Sequence, residues 1–272
     1  MKSVNQLKAV DFDQNRNTLR YKLRPIRTPD DLQAAMEKLL GDKAGMLAPR
    51  EGRKFFTFGS CFAVNIGSDM KARGAEVYTT RVTEDVNSPF NNAALLRSVF
   101  LNEHTDIADE LVESTGIDYD EFRHELTSAT DVIFTLGNIF RLEGDEGHTV
   151  VATKDTKLVR ETFQETVDCL RDIFRILAKF TTARIFVSVS PIPISGYIGT
   201  EFGSAIEADC ASKCQLIAAI RTLDGFTYIP TFEIFRWLPA HQEFSTFGAD
   251  RDNSRHLWGS HVWMVMRILC GK

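Results

Sequence analysis

The chain is poor in cysteine and has no repeat, no low-complexity stretch and no long apolar run, and each shortage removes a class of protein. Its five cysteines (Cys61, Cys169, Cys210, Cys214, Cys270) are an odd number at irregular spacing among 272 residues. The leading segment MKSVNQLKAVDFDQNRN holds no apolar stretch of signal-peptide length. Together these features predict free thiols in a cytoplasmic protein rather than a disulfide framework. Cys210 and Cys214 stand four apart and can share a helix face, but no His or Cys pair completes a zinc set, so they read as small apolar helix residues. With no His-Glu-x-x-His pattern, Gly-x-Gly-x-x-Gly pattern or phosphate loop, neither a metal nor a nucleotide cofactor is expected. No run of 18 apolar residues occurs, which argues against a transmembrane helix. The formal net charge is -5 and the 32 Lys and Arg are dispersed, so no basic stripe points to nucleic acid or anionic lipid.

What the chain does have is phenylalanine, twenty of them, in a sequence that is 43% hydrophobic. At this length one core burying about three quarters of the unfolded surface is feasible. Phe55-Phe56-Thr57-Phe58 is a continuous apolar run that stops at Gly59 and flows into Ala63–Met70, which predicts buried strand, tight turn and helix. Further strands are expected at Glu76–Thr80, Asp131–Leu136, Arg184–Ser190 and Phe226–Ile229, with a hairpin turning at Gly144–Gly147. Helices are expected at Pro29 to about Leu40, with Thr28 as cap, and at Asn92–Leu101 with Asn91 or Asn92 as cap. Others are expected at Asp118–Leu126, Leu158–Phe180, Glu207–Leu223 and Leu257–Leu269. Strands alternating with helices predict an α/β protein whose central parallel sheet has helices on both faces. One domain over residues 51–272 is expected, with residues 1–50 as an N-terminal extension packed on it.

In such a sheet, ligands sit beyond the carboxyl ends of the strands, and three polar residues stand at or near such positions. Ser60 follows the strand and Gly59, at a helix start whose unpaired N–H groups and positive potential suit a nucleophile generating an oxyanion. Taken alone, a serine there also fits a helix cap. Asn138, after Leu136-Gly137, is placed to donate its amide to an oxyanion or to cap a turn. His256 precedes the last helix, and a histidine titrating near neutrality can take the serine proton and return it to a leaving group. Asp250 and Asp252 lie upstream of it on the same loop. Cys61 is a rival nucleophile, since thiolates form readily at helix starts. Adjacent helical residues point about 100° apart, so only one of Ser60 and Cys61 is expected to face the crevice.

Gly59-Ser60-Cys61-Phe62-Ala63 resembles the signature of the GSCFA family, which is grouped with the SGNH/GDSL hydrolases. Asn87-Ser88-Pro89, Thr135-Leu136-Gly137, Val189-Ser190-Pro191-Ile192-Pro193, Ala211-Ser212-Lys213, Tyr228-Ile229-Pro230 and a late histidine are similar to further family blocks in the same order. The resemblance covers about Arg53 to the C-terminus. It implies a flavodoxin-like three-layer α/β/α fold, with residues 51–272 as a catalytic domain. It also implies a Ser60–His256 pair, an acid three residues before the histidine, and an oxyanion hole made of the Ser60 N–H, a glycine N–H and the Asn138 side chain. Here the residue three before His256 is Asn253, and Asp252 is four before. Either Asp252 orients the imidazole as the third catalytic residue, or Asn253 or a backbone carbonyl does so in a dyad; Asp252 is preferred. An amide in that place holds a ring but stabilises imidazolium less. The family reading favours Ser60 over Cys61 as nucleophile. The function implied is a serine esterase that cleaves O-acyl esters, acetyl first among them, on a small molecule or carbohydrate. The alternatives are an O-acyltransferase of polysaccharide biosynthesis using the same acyl-enzyme, and a non-catalytic glycan-binding or scaffold domain.

Overall fold

A computed structural model describes residues 26–82, 87–103, 106–145, 147–238, 245–248, 257 and 259–271. Along the chain these form α1 (Pro29–Leu40), β1 (Lys54–Gly59), α2 (Cys61–Ala72), β2 (Glu76–Arg81), α3 (Pro89–Leu101), α4 (Asp106–Thr115), α5 (Tyr119–Ser128) and β3 (Asp131–Leu136). There follow β4 (Phe140–Gly144), β5 (Gly147–Thr149), β6 (Lys157–Arg160), α6 (Phe163–Phe180), β7 (Arg184–Val189), α7 (Ala205–Ile220), β8 (Thr227–Ile229), α8 (Thr231–Trp237) and α9 (Gly259–Cys270).

Five strands form a parallel sheet in the order β2-β1-β3-β7-β8, the order of doubly wound flavodoxin-like sheets. The phenylalanines explain its place at the centre. Successive side chains on a strand point to opposite faces. Accordingly Phe56 and Phe58 join Val132, Phe134 and Val187 in one apolar cluster, whereas Phe55 joins Ile133 and Phe186 in another. The first cluster is closed by α3, α6 and α7 through Leu96, Val99, Leu170, Ile173, Leu177 and Leu216. The second is closed by α1, α2, α8 and α9 through Met36, Phe62, Ile66, Phe235, Val265 and Leu269. The result is the three-layer α/β/α arrangement expected from alternating strands and helices. Phe58 and Phe134, on neighbouring strands, stack with centroids 4.3 Å apart. Burying each such ring contributes on the order of 2–3 kcal/mol.

A small antiparallel sheet, β5-β4-β6, lies between β3 and α6 in the chain. Its β4–β5 hairpin turns between Gly144 and Gly147, where expected. Other boundaries shift for local reasons. Helix α3 begins at Pro89 rather than Asn92, because Ser88 is the cap, accepting from Asn91 N, and proline suits the first turn. Lys157–Arg160 is strand β6 rather than the start of a long helix. The capping box Thr162–Glu165 starts α6 at Phe163, and Phe163 is itself exposed. Helices α4 and α8 were not expected; each is short. Upstream of β1, Ile26, Leu32, Met36, Leu40 and Leu47 are buried in the cluster that holds α9. Gly45 N and Leu47 N donate to the Ile268 and Leu269 carbonyls at 2.9 and 2.8 Å. No helix among the described residues is long and apolar enough to cross a membrane.

Candidate active site

The site begins with a glycine that cannot be replaced. Gly59 closes β1 at φ 113°, and a Cβ there would stand 2.1 Å from the Thr135 carbonyl oxygen on β3. This close approach sets the backbone of Ser60, which takes the extended conformation of an N-cap before α2. The Ser60 hydroxyl accepts from Phe62 N at 3.3 Å and lies 2.8 Å from the Thr135 hydroxyl. Ser60 is therefore a helix cap and also a hydroxyl held at the carboxyl end of a central strand. Its backbone N–H, expected to donate into an oxyanion hole, instead donates to Thr135, to Oγ1 at 2.9 Å and to the carbonyl at 3.1 Å. Gly59 pairs with Thr135 in the sheet register, which is why this threonine takes that amide.

The ends of the other strands close round this point. Ser60, Cys61, Gly137, Ser190 and Lys213 line a small cavity, with Ile192 and Ile194 as its apolar wall. Both Ser60 and Cys61 line it, contrary to the expectation that only one of them faces the crevice. The 100° argument assumed two helical residues, whereas Ser60 is the extended cap and only Cys61 belongs to the helix. Cys61 also packs against the second apolar cluster.

Gly137 is the second position where a side chain does not fit: a Cβ would lie 2.7 Å from Asn87 Nδ2. Asn87, fully buried, takes Asn138 N on its carbonyl at 3.1 Å, donates its amide to the Thr135 carbonyl at 3.3 Å and accepts from Asn92 Nδ2 at 2.8 Å. Asn138 is buried, and its Oδ1 accepts from Phe140 N at 2.7 Å, the turn-capping arrangement. From the helical side, Ser212 Oγ accepts from Ile139 N at 3.1 Å, and Lys213 donates to the Gly137 carbonyl. Asp209 accepts from Ile194 N at 3.1 Å and from Arg236 at 2.7 Å.

The Asn87, Thr135, Ser190 and Lys213 blocks of the sequence thus meet at one rim, although none of these four residues carries a role in the sequence analysis. The signal available for them was their block positions; their contacts span 48 to 76 residues and depend on sheet register. His256, Asp252 and Asn253 lie outside the described residues. Their nearest described neighbour, Leu257, forms an isolated antiparallel bridge with Phe247 and is buried in the cluster that contains Phe62.

Among the described residues, no group of three His, Cys, Asp or Glu is placed to hold a metal. All five cysteines are free, and Cys210 and Cys214 are exposed on α7 rather than packed as small apolar residues. Of the described histidines, His148 and His261 are both held below the usual imidazole range by burial, in His148 with help from the Arg141 charge.

The profile of the GSCFA family matches residues 54–264. The chain belongs to the GSCFA family. No curated protein matches it.

Proposed function

We propose that the protein is a serine esterase of the SGNH type, acting on O-acyl esters, acetyl first among them, of a small molecule or carbohydrate. The observation that carries this reading is the position of Ser60. Ser60 lines a cavity at the carboxyl ends of parallel strands, at a helix start, with its hydroxyl held at 2.8 Å by Thr135. In the reaction, Ser60 Oγ attacks the ester carbonyl carbon while His256 takes its proton. The oxyanion develops against the positive end of α2 and the Asn138 amide. The C–O bond then breaks, the alcohol leaves with the proton from His256, and water activated by the same imidazole releases the acid. Asp252 orients the imidazole and offsets its charge; Asn253 is the alternative orienting group.

The Ser60 N–H donates to Thr135, so in this mechanism the oxyanion draws on the helix start and the Asn138 side chain rather than on that amide. The test is turnover of a short-chain nitrophenyl ester. Ser60→Ala and His256→Ala are each expected to lose at least about 10³-fold in kcat. Asp252→Asn is expected to lose more than Asn253→Ala when the two are assayed side by side. A wild-type chain that hydrolyses no ester would instead favour a silent glycan-binding domain. Transfer of acetyl to added oligosaccharide in preference to water would identify an acyltransferase.

A further inference from the structure

Helix α7 carries a polar group in the core that the esterase mechanism does not use. Asp209, Ser212, Lys213 and Leu216 follow one another at spacings of three, one and three, so they share one face of the helix. All four are buried. Lys213 is the most costly of them, an ammonium whose side chain is 1% exposed. An apolar side chain of similar volume would fill the space without desolvating a charge. Its contacts are specific. It donates to the Gly137 carbonyl and stands 3.9 Å from Asp209 Oδ1, and Asp209 in turn is paired with Arg236.

The segment it holds matters. Gly137 lines the cavity with Ser60, and the amides of the next three residues are all engaged: Asn138 N by the Asn87 carbonyl, Ile139 N by Ser212, and Phe140 N by the Asn138 side chain within the turn. The Ile139 carbonyl accepts from Glu161 N at 2.8 Å, and the Gly137 carbonyl is a further handle on this turn, held by Lys213. Asp209 does the same for the other wall by accepting from Ile194 N. We propose that Lys213 is a positioning residue of the active site. By holding the Gly137 carbonyl it fixes the turn that carries Asn138, so that the oxyanion side of the cavity is formed before substrate arrives. The inference rests on Ser60 being the nucleophile.

The experiment compares the full-length wild type with Lys213→Met and Lys213→Gln. It reads the rate at which a serine-directed phosphonate modifies Ser60, together with kcat and KM for a nitrophenyl ester. A loosened turn costs rate rather than ground-state binding. Lys213→Met is therefore expected to lose about 10- to 100-fold in phosphonylation rate and kcat, with KM within about threefold. Glutamine keeps an N–H donor for the Gly137 carbonyl, so Lys213→Gln is expected to recover to within about fivefold of wild type. A methionine variant as fast as wild type overturns the proposal. So does a glutamine variant as slow as methionine, which would assign the effect to charge. If Lys213→Met does not fold, Ser212→Ala replaces it, freeing the Ile139 amide of the same turn. A loss of about threefold or more is then expected, and an unchanged rate is contrary to the proposal. Wild type that is never modified at Ser60 removes the nucleophile reading itself, and this inference with it. Wild type that reacts alongside variants that react equally fast removes only the role of Lys213.

Discussion

The two ends of the parallel sheet handle polar groups in opposite ways. At the amino ends, Asp131 on β3 is 1% exposed and gripped by two arginines, Arg53 at 2.8–2.9 Å and Arg184 at 2.7–2.9 Å, with Thr130 at 2.7 Å. Arg53 also donates to the Ala48 and Met46 carbonyls, tying the segment before β1 to the sheet. At the carboxyl ends, neutral hydroxyls and amides surround Ser60, and among the described residues of its cavity wall the cation, Lys213, is held by a backbone carbonyl. The first arrangement is closed and suits stability. The second places a serine in the wall of a cavity. In an open α/β sheet that division follows from the topology, because helix N-termini and the crevice both lie at the carboxyl edge.

The sharpest way to break this comparison is to injure each end separately. Asp131→Asn leaves Arg53 without its charge partner, and the expected cost is about 3 kcal/mol, a fall in Tm of roughly 6–10 °C. Ester turnover per folded molecule should stay within about twofold of wild type. A normal Tm, or a large loss of turnover, would show that the two ends are not separate.

The carboxylates at the two ends also titrate in opposite senses. Burial alone would raise Asp131, but hydrogen bonds from Arg53, Thr130 and Arg184 outweigh it and hold the carboxyl below its ordinary 3.8. Its contribution to stability is therefore full above that value and is lost as pH falls through its lower folded-state pKa. Near the other end, Glu161 is fully buried and accepts from Phe90 N at the start of α3, at 3.1 Å. Burial pushes its carboxyl up from 4.5 to about 7. The folded state then binds more protons than the unfolded one between these values, so stability falls as pH rises through them, by a ceiling of about 3 kcal/mol. Glu161→Gln keeps an acceptor for Phe90 N and removes the charge. A Tm a few degrees above wild type at pH 8, with little difference at pH 4, is expected. A variant less stable at pH 8 would contradict this assignment. This is the smallest of the expected effects.

The layers of the fold were legible because a short apolar run through Phe55, Phe56 and Phe58 that ends at a glycine reads as a buried strand, and the three-and-four spacing of apolar residues through Val167, Leu170, Phe174 and Leu177 reads as a helix. Helix α4 was missed, although Ile107, Ala108 and Leu111 give it a buried face. Ten residues supply only three turns, and three buried side chains are a short apolar signal. The start of α6 was misplaced because Val159 and Phe163 fit the helical phase, while the capping box at Thr162 decides where the helix begins. In the site, Ser60 was legible as the residue after an apolar run and a glycine. Thr135 as the holder of its hydroxyl and Lys213 as the holder of Gly137 were not, because those contacts join residues about 75 apart in the chain, and the partners are set by strand register and helix docking. Likewise, that Cys61 also lines the cavity follows from the extended backbone of Ser60 and not from residue type.

Ser60 and Cys61 border the same cavity at the start of α2, so the mechanism depends on which of the two side chains is nucleophilic. The direct measurement is peptide mapping of the full chain after reaction with a serine-directed phosphonate. One covalent adduct per chain on Ser60, absent in Ser60→Ala, is the predicted result. An adduct on Cys61, or none on a chain shown to be folded, would contradict it.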